Sequence, residues 1–110
     1  MSACIRRNRV LLERLFKARG ATRRIILNNA QPDFLNALCE IAFNVLNGKI
    51  PLTRRQYSQL QKQKTGIRNF ASKSVSLSKK KKLVNQKGGG FIFPLLSAAL
   101  PFISSLFTRS

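Results

Sequence analysis

Few side chains in this sequence could support catalysis. The chain has no histidine, and its three acids, Glu13, Asp33 and Glu40, lie in separate segments. The missing histidine excludes an imidazole base, and the spread of the acids makes a paired-carboxylate site improbable. We therefore expect a protein that is not an enzyme.

The same composition limits metal binding. Cys4 and Cys39 are the two cysteines, and zinc generally takes about four ligands from cysteine, histidine and carboxylate side chains. The spacing of the cysteines matches no small disulfide framework. We expect two free thiols in a reducing compartment, no metal and no other cofactor.

Basic residues dominate the charged side chains. The chain has 21 lysines and arginines against three acids, which gives a net charge of +18. Residues 1–40 carry eight basic and three acidic side chains, whereas residues 41–110 carry thirteen basic side chains and no acid. Such a surface typically binds phosphate, either in nucleic acid or, as a second candidate, in anionic lipid.

The predicted nucleic-acid contacts lie in the second half of the chain. They are Arg54, Arg55, Lys62, Lys64, Arg68, Lys73, Lys79, Lys80, Lys81, Lys82 and Lys87. We expect the four-lysine run to face water. The chain has no zinc-finger spacing, basic-zipper heptad or ribonucleoprotein aromatic motif, so we expect contacts to the phosphate backbone, most favourably of double-stranded DNA. A helix-turn-helix at the Gly20 or Gly48 junction stays open.

Apolar residues recur at helical spacing, and no segment alternates as a strand would. The sequence therefore predicts an all-α fold, with four to five short helices forming a basic nucleic-acid-binding module over residues 1–85. The most apolar helix should begin near Pro32 and end at Gly48, because proline suits a first turn and glycine a helix end. We expect Leu38 and Phe43 of this helix to lie in the core.

The helices on either side of this core helix are predicted from weaker signals. They cover residues 4–19, 21–29, 53–70 and the segment from Ser76 to Val84. Thr53 and Gln56 have the spacing of a capping box, which predicts a helix start at residue 53. Gly66 should weaken the second half of that helix.

A Gly-rich joint, residues 86–90, precedes an apolar tail, residues 91–110. The seventeen residues from Phe91 to Phe107 carry no charge, and as a helix they would reach about 25 Å, the short limit for a membrane span. Pro101 should kink such a helix. We expect the joint to keep the tail separate from the helical module, as a segment that contacts a membrane or a capsid; the alternative is that it packs on the module.

The junction between the basic and apolar parts carries a family resemblance. A Gly-Gly pair between Lys87 and the run Phe93-Pro94-Leu95-Leu96 resembles the C-terminal part of the adenovirus core-protein precursor pX, the precursor of the mu peptide, and similar small proteins of adintoviruses and Polintons. The resemblance lies within residues 86–110. It implies a virion core protein that condenses DNA in the particle or the host nucleus. It also implies a viral maturation protease as a partner, with the cleavage candidate at Gly88, Gly89 and Gly90.

Three functions stay open on the sequence alone. The first is a DNA-packaging protein of a virus or virus-like element. The second is a membrane-active protein, in which the tail inserts and the basic half docks on anionic lipid. The third is a small ribosomal or other RNA-binding protein. Residues 1–24 lack the continuous apolar run of a secretory signal, but their arginines also fit a mitochondrial targeting peptide.

Overall fold

A computed structural model describes residues 3–86 and 92–108. Within them the structure is all-α, as predicted, and contains eight helices and no strand. They are α1 (Ala3–Arg7), α2 (Arg9–Lys17), α3 (Ala21–Asn28), α4 (Pro32–Leu46), α5 (Arg54–Gln61), α6 (Lys64–Ala71), α7 (Leu77–Gln86) and α8 (Ile92–Thr108).

Two of the predicted helices are each divided in two, which raises the helix count above the four to five expected. The segment 4–19 breaks at Asn8, whose side-chain amide donates to the Cys4 carbonyl and to Asp33 Oδ2, both at 2.8 Å. An asparagine side chain that binds such groups competes with the regular helical pattern. The segment 53–70 breaks at residues 62–63, and Gly66 lies inside the second of the two helices.

Helix α4 is the centre of the core and packs against α1, α6, α7 and α8. Leu38 is fully buried, as predicted, but Phe43 is 47% exposed, so its predicted place in the core is wrong. The reason is the helical period. Position 43 lies about 140° around the helix from position 38, because each residue advances by about 100°.

Helix α8 belongs to the same core, so the separate apolar tail is not confirmed. It packs against α2, α4 and α5. Its buried side chains are Ile92, Leu95, Leu96, Ala98, Ala99, Leu100 and Ile103. A small chain buries a small share of its surface, so its stability margin is thin. Burial of the apolar face of α8 adds to that margin, and the glycine joint does not prevent it. No helix in the described part of the chain is long and apolar enough to cross a membrane.

The helical course of α8 continues through Pro101. Proline has no N–H, so the carbonyl of Ser97, four residues earlier, lacks its usual helical partner. The side-chain amide of Gln56 donates to this carbonyl at 3.5 Å. Gln56 also forms the predicted capping box with Thr53, which is confirmed. Gln56 thus caps the start of α5 and also contacts α8.

Gly20 and Gly48 turn the chain between helices. Gly48 has a φ of 71° and follows the end of α4, as predicted. Gly20 has a φ of 53° and directly precedes α3, whereas α2 already ends at Lys17. Both backbone conformations favour glycine because a Cβ would be strained there.

Candidate nucleic-acid interface

The start of α5 presents two arginines to solvent. Thr53 Oγ1 accepts from the Gln56 N–H at 3.1 Å, and Gln56 Oε1 accepts from the Thr53 N–H at 2.9 Å. This capping box fixes Arg54 and Arg55 in the first turn, where both are exposed. Positive charge is unfavourable at a helix N-terminus, so helix stability does not account for the two arginines.

Further predicted contacts follow along α5 and α6. Lys62, Arg68 and Lys73 are exposed. Lys64 is half-buried and lines a small cleft of about 140 Å³ together with Tyr57 and other residues of α4, α5 and α6. A lysine in such a position covers apolar surface with its methylene stem and keeps its ammonium group at the edge.

The four-lysine run does not face water as a unit. Lys79 and Lys82 are exposed and Lys81 is half-buried, but Lys80 is only 7% exposed. Four consecutive residues occupy about 300° of a helix circumference, so one of them must face the core side. Lys80 does so because it lies one turn before Val84, which is fully buried. The prediction that all four lysines face water is therefore wrong for Lys80.

Lys80 lies where α4, α6 and α7 meet. The Cys39 thiol of α4 donates to the Phe70 carbonyl at the end of α6, at 3.4 Å. Burial raises the pKa of the Cys39 thiol, and the positive charge and hydrogen bond of Lys80 beside it oppose that shift. Both cysteines are free thiols. In this structure Lys80 is part of the packing and is not placed to reach a phosphate.

The contacts between helices bring some of the predicted cations together and not others. Helix α7 packs against α6 and α3, so Lys79 and Lys82 lie on a helix next to the one that carries Arg68. Arg54 and Arg55 lie on α5, which packs against α8. The exposed cations therefore lie on α5, α6 and α7, of which α5 and α6 also line one cleft.

Two of the three acids, Asp33 and Glu13, form ion pairs with arginines of the first half. Arg7 Nη2 donates to Asp33 Oδ1 at 2.9 Å, and Asn8 Nδ2 donates to Asp33 Oδ2 at 2.8 Å. The hydrogen bond from Arg7, followed by that from Asn8, lowers the pKa of Asp33 to about 2. Glu13 pairs with Arg9 at 3.2 Å. Arginines of α1 and α2 thus hold both of these carboxylates.

A second group of cations surrounds two stacked rings and was not predicted as a site. Lys17, Arg19 and Arg23 line a cleft together with Phe16 and Phe93. Phe16 lies in α2 and Phe93 in α8, so only the packing of α8 against α2 brings the rings together. No local sequence signal connects residues that are this far apart along the chain.

Four of the predicted functional residues lie outside the described residues. They are Lys87, the last of the predicted cations, and the cleavage candidates Gly88, Gly89 and Gly90. Among the described residues, no three potential metal ligands gather at one place.

Comparison with known proteins adds no relative. No protein-family model matches the chain, and neither a curated protein nor a solved structure matches it. The function is therefore inferred from the residues of the chain itself.

Proposed function

We propose that this protein binds nucleic acid, above all double-stranded DNA, through contacts between its exposed cations and backbone phosphates, and that it catalyses no reaction. One observation carries the proposal: α5, α6 and α7 expose a series of cations in a stretch of sequence that has no acid after Glu40. A surface that served solubility alone would also use acidic side chains.

The mechanism is charge neutralisation. Each lysine or arginine that neutralises a phosphate releases condensed counterions, so affinity falls as the salt concentration rises. A net charge of +18 on 110 residues makes the compact chain repel itself, and a bound polyanion relieves that repulsion. Binding of this kind is tolerant of sequence, because phosphate contacts position a protein without reading bases.

Condensation of DNA in a particle is the biological setting that we favour. It rests on the resemblance of residues 86–110 to the adenovirus core-protein precursor, together with the charge of the module. Exposed cations on three helices, α5, α6 and α7, would let one molecule neutralise phosphates of two DNA segments. Neutralised segments could then approach one another closely.

Membrane activity and RNA binding are weaker candidates. The apolar side chains of α8 that would insert into a bilayer are buried against α2, α4 and α5. RNA offers the same phosphate chemistry as DNA, so a duplex RNA of equal length belongs in the same measurement as a separate arm.

A salt titration tests the proposal on the full chain. We expect the affinity for a labelled duplex of about 20 base pairs to fall linearly with salt on logarithmic axes, with a slope of about −0.9 for each phosphate contact. Exposed cations on α5, α6 and α7 lead us to expect several contacts. Affinity that is undetectable at low salt, or that does not change with salt, would contradict the proposal.

A further inference from the structure

A cleft of about 630 Å³ lies between the end of α2, the start of α3 and the start of α8. Its volume falls in the range of small-ligand sites, about 300–1,000 Å³. Its described lining residues are Phe16, Lys17, Arg19, Gly20, Arg23 and Phe93, of which three are cations, two are aromatic and none is acidic. None of its described lining residues belongs to α5, α6 or α7, so the phosphate contacts described above do not account for it.

Three planar groups that line this cleft stack on one another. The rings of Phe16 and Phe93 stack with their centroids 5.3 Å apart and their planes 15° from parallel. The guanidinium carbon of Arg23 lies 5.0 Å from the centroid of the Phe93 ring. Arg23 Nη2 also donates to the Ala18 carbonyl at 3.0 Å, which holds the guanidinium group in place.

The packing of the core does not account for the position of Phe93. Its neighbours Ile92 and Leu95 are buried, whereas Phe93 is 44% exposed on another face of α8. Burial of an aromatic side chain is a main source of stability. Because Phe93 stacks at the surface, it is only partly buried and contributes less of this stabilisation. Beside it, Lys17 and Arg19 are exposed to solvent.

We propose that this cleft binds one unpaired nucleotide, with the base added to the stack of Phe16, Phe93 and Arg23 and the phosphate against Lys17 and Arg19. Aromatic rings and arginine planes stack on any base, because every base has a π-face. The bases of an intact duplex are already stacked on one another and cannot enter. The proposal rests on the proposed function, to which it adds a separate site for an unpaired nucleotide of a single-stranded segment.

The test compares single-stranded and duplex oligonucleotides on the full chain at one salt concentration. Phe93→Leu keeps the apolar bulk and removes the ring. We expect it to weaken binding of an unstructured single strand by about 5- to 150-fold, the range for loss of one stacked base. Duplex affinity should change by less than about twofold. Phe43→Leu is the matched control, because Phe43 is 47% exposed on α4 and does not line the cleft.

Four further arms, the last of which measures binding to anionic vesicles, separate the possible outcomes. An abasic strand with the same number of phosphates should bind both proteins equally, and Arg23→Lys, which keeps the charge, should weaken single-strand binding as well. DNA and RNA strands are compared to identify the source of the nucleotide. If Phe93→Leu weakened single-strand and duplex binding equally, or if Phe43→Leu weakened single-strand binding as much, the nucleotide site would be contradicted. The proposal of phosphate contacts on α5 to α7 would still stand. A Phe93→Leu loss confined to anionic vesicles would overturn it in favour of a lipid headgroup.

Discussion

A single carboxylate, Asp33, joins the first helix to the core helix. It lies in the first turn of α4, where negative charge is favourable, and it accepts hydrogen bonds from Arg7 and Asn8. The sequence predicted its place at the start of a helix. Its partners could not be predicted, because they are set by how α1 packs on α4.

The interactions of Asp33 predict a pH dependence of stability. The pKa of Asp33 is lowered from 3.8 to about 2 in the folded chain. Its contribution is therefore complete above about pH 4 and is lost as the pH falls through about 2. We expect Asp33→Asn to reduce the change of the thermal unfolding midpoint with pH between about pH 4 and pH 2. Glu13→Gln should leave that pH dependence as it is in the unmodified chain. Equal slopes in Asp33→Asn and the unmodified chain would show that other groups control acid stability.

At the scale of the elements, the sequence predicts those features that depend on neighbouring residues alone. The capping box of Thr53 and the proline start of α4 follow from nearest neighbours, and both are confirmed. The break at Asn8 depends on a contact with Asp33, 25 residues away. The inward position of Lys80 could not be predicted, because a run of four lysines does not show which position of α7 faces the core.

The contact between α5 and α8 gives a prediction for Gln56. Gln56→Glu keeps an acceptor for the Thr53 N–H but removes the donor to the Ser97 carbonyl. We expect a loss of about 0.5–1.5 kcal/mol, the net value of one hydrogen bond. The loss should shrink when Pro101→Ala is also present, since an alanine N–H restores the helical partner of that carbonyl. Additive effects of the two substitutions on chemical unfolding would refute this contact.

At the scale of the whole molecule, the burial of α8 changes what cleavage at the glycines would do. The sequence indicated a free tail because an uncharged segment follows three glycines. Whether such a segment inserts, assembles or packs inward depends on the partner faces of α2, α4 and α5, which sequence periodicity does not assign. The tail adds seven buried apolar side chains to the core of a small chain, in which the margin of burial is thin.

We predict that cleavage after Gly89 by an adenovirus-type protease leaves residues 90–110 bound to the rest of the molecule. The buried side chains of α8 should hold the peptide without the covalent joint. The two fragments should co-elute in gel filtration and separate when Leu95→Asp places a charge in the core contact. Separation of the fragments without that substitution would mean that α8 adds little to the fold.

The central claim is that exposed cations bind phosphate, and the lysine run provides a matched test of it. Lys79 and Lys82 are exposed, whereas Lys80 between them is buried. The measurement is the salt dependence of duplex DNA affinity for Lys79→Gln/Lys82→Gln and for Lys80→Met. We predict that the double substitution weakens binding and reduces the slope by about 2, from two lost phosphate contacts, while Lys80→Met changes neither. A slope unchanged by the double substitution, or lowered equally by Lys80→Met, would contradict the account.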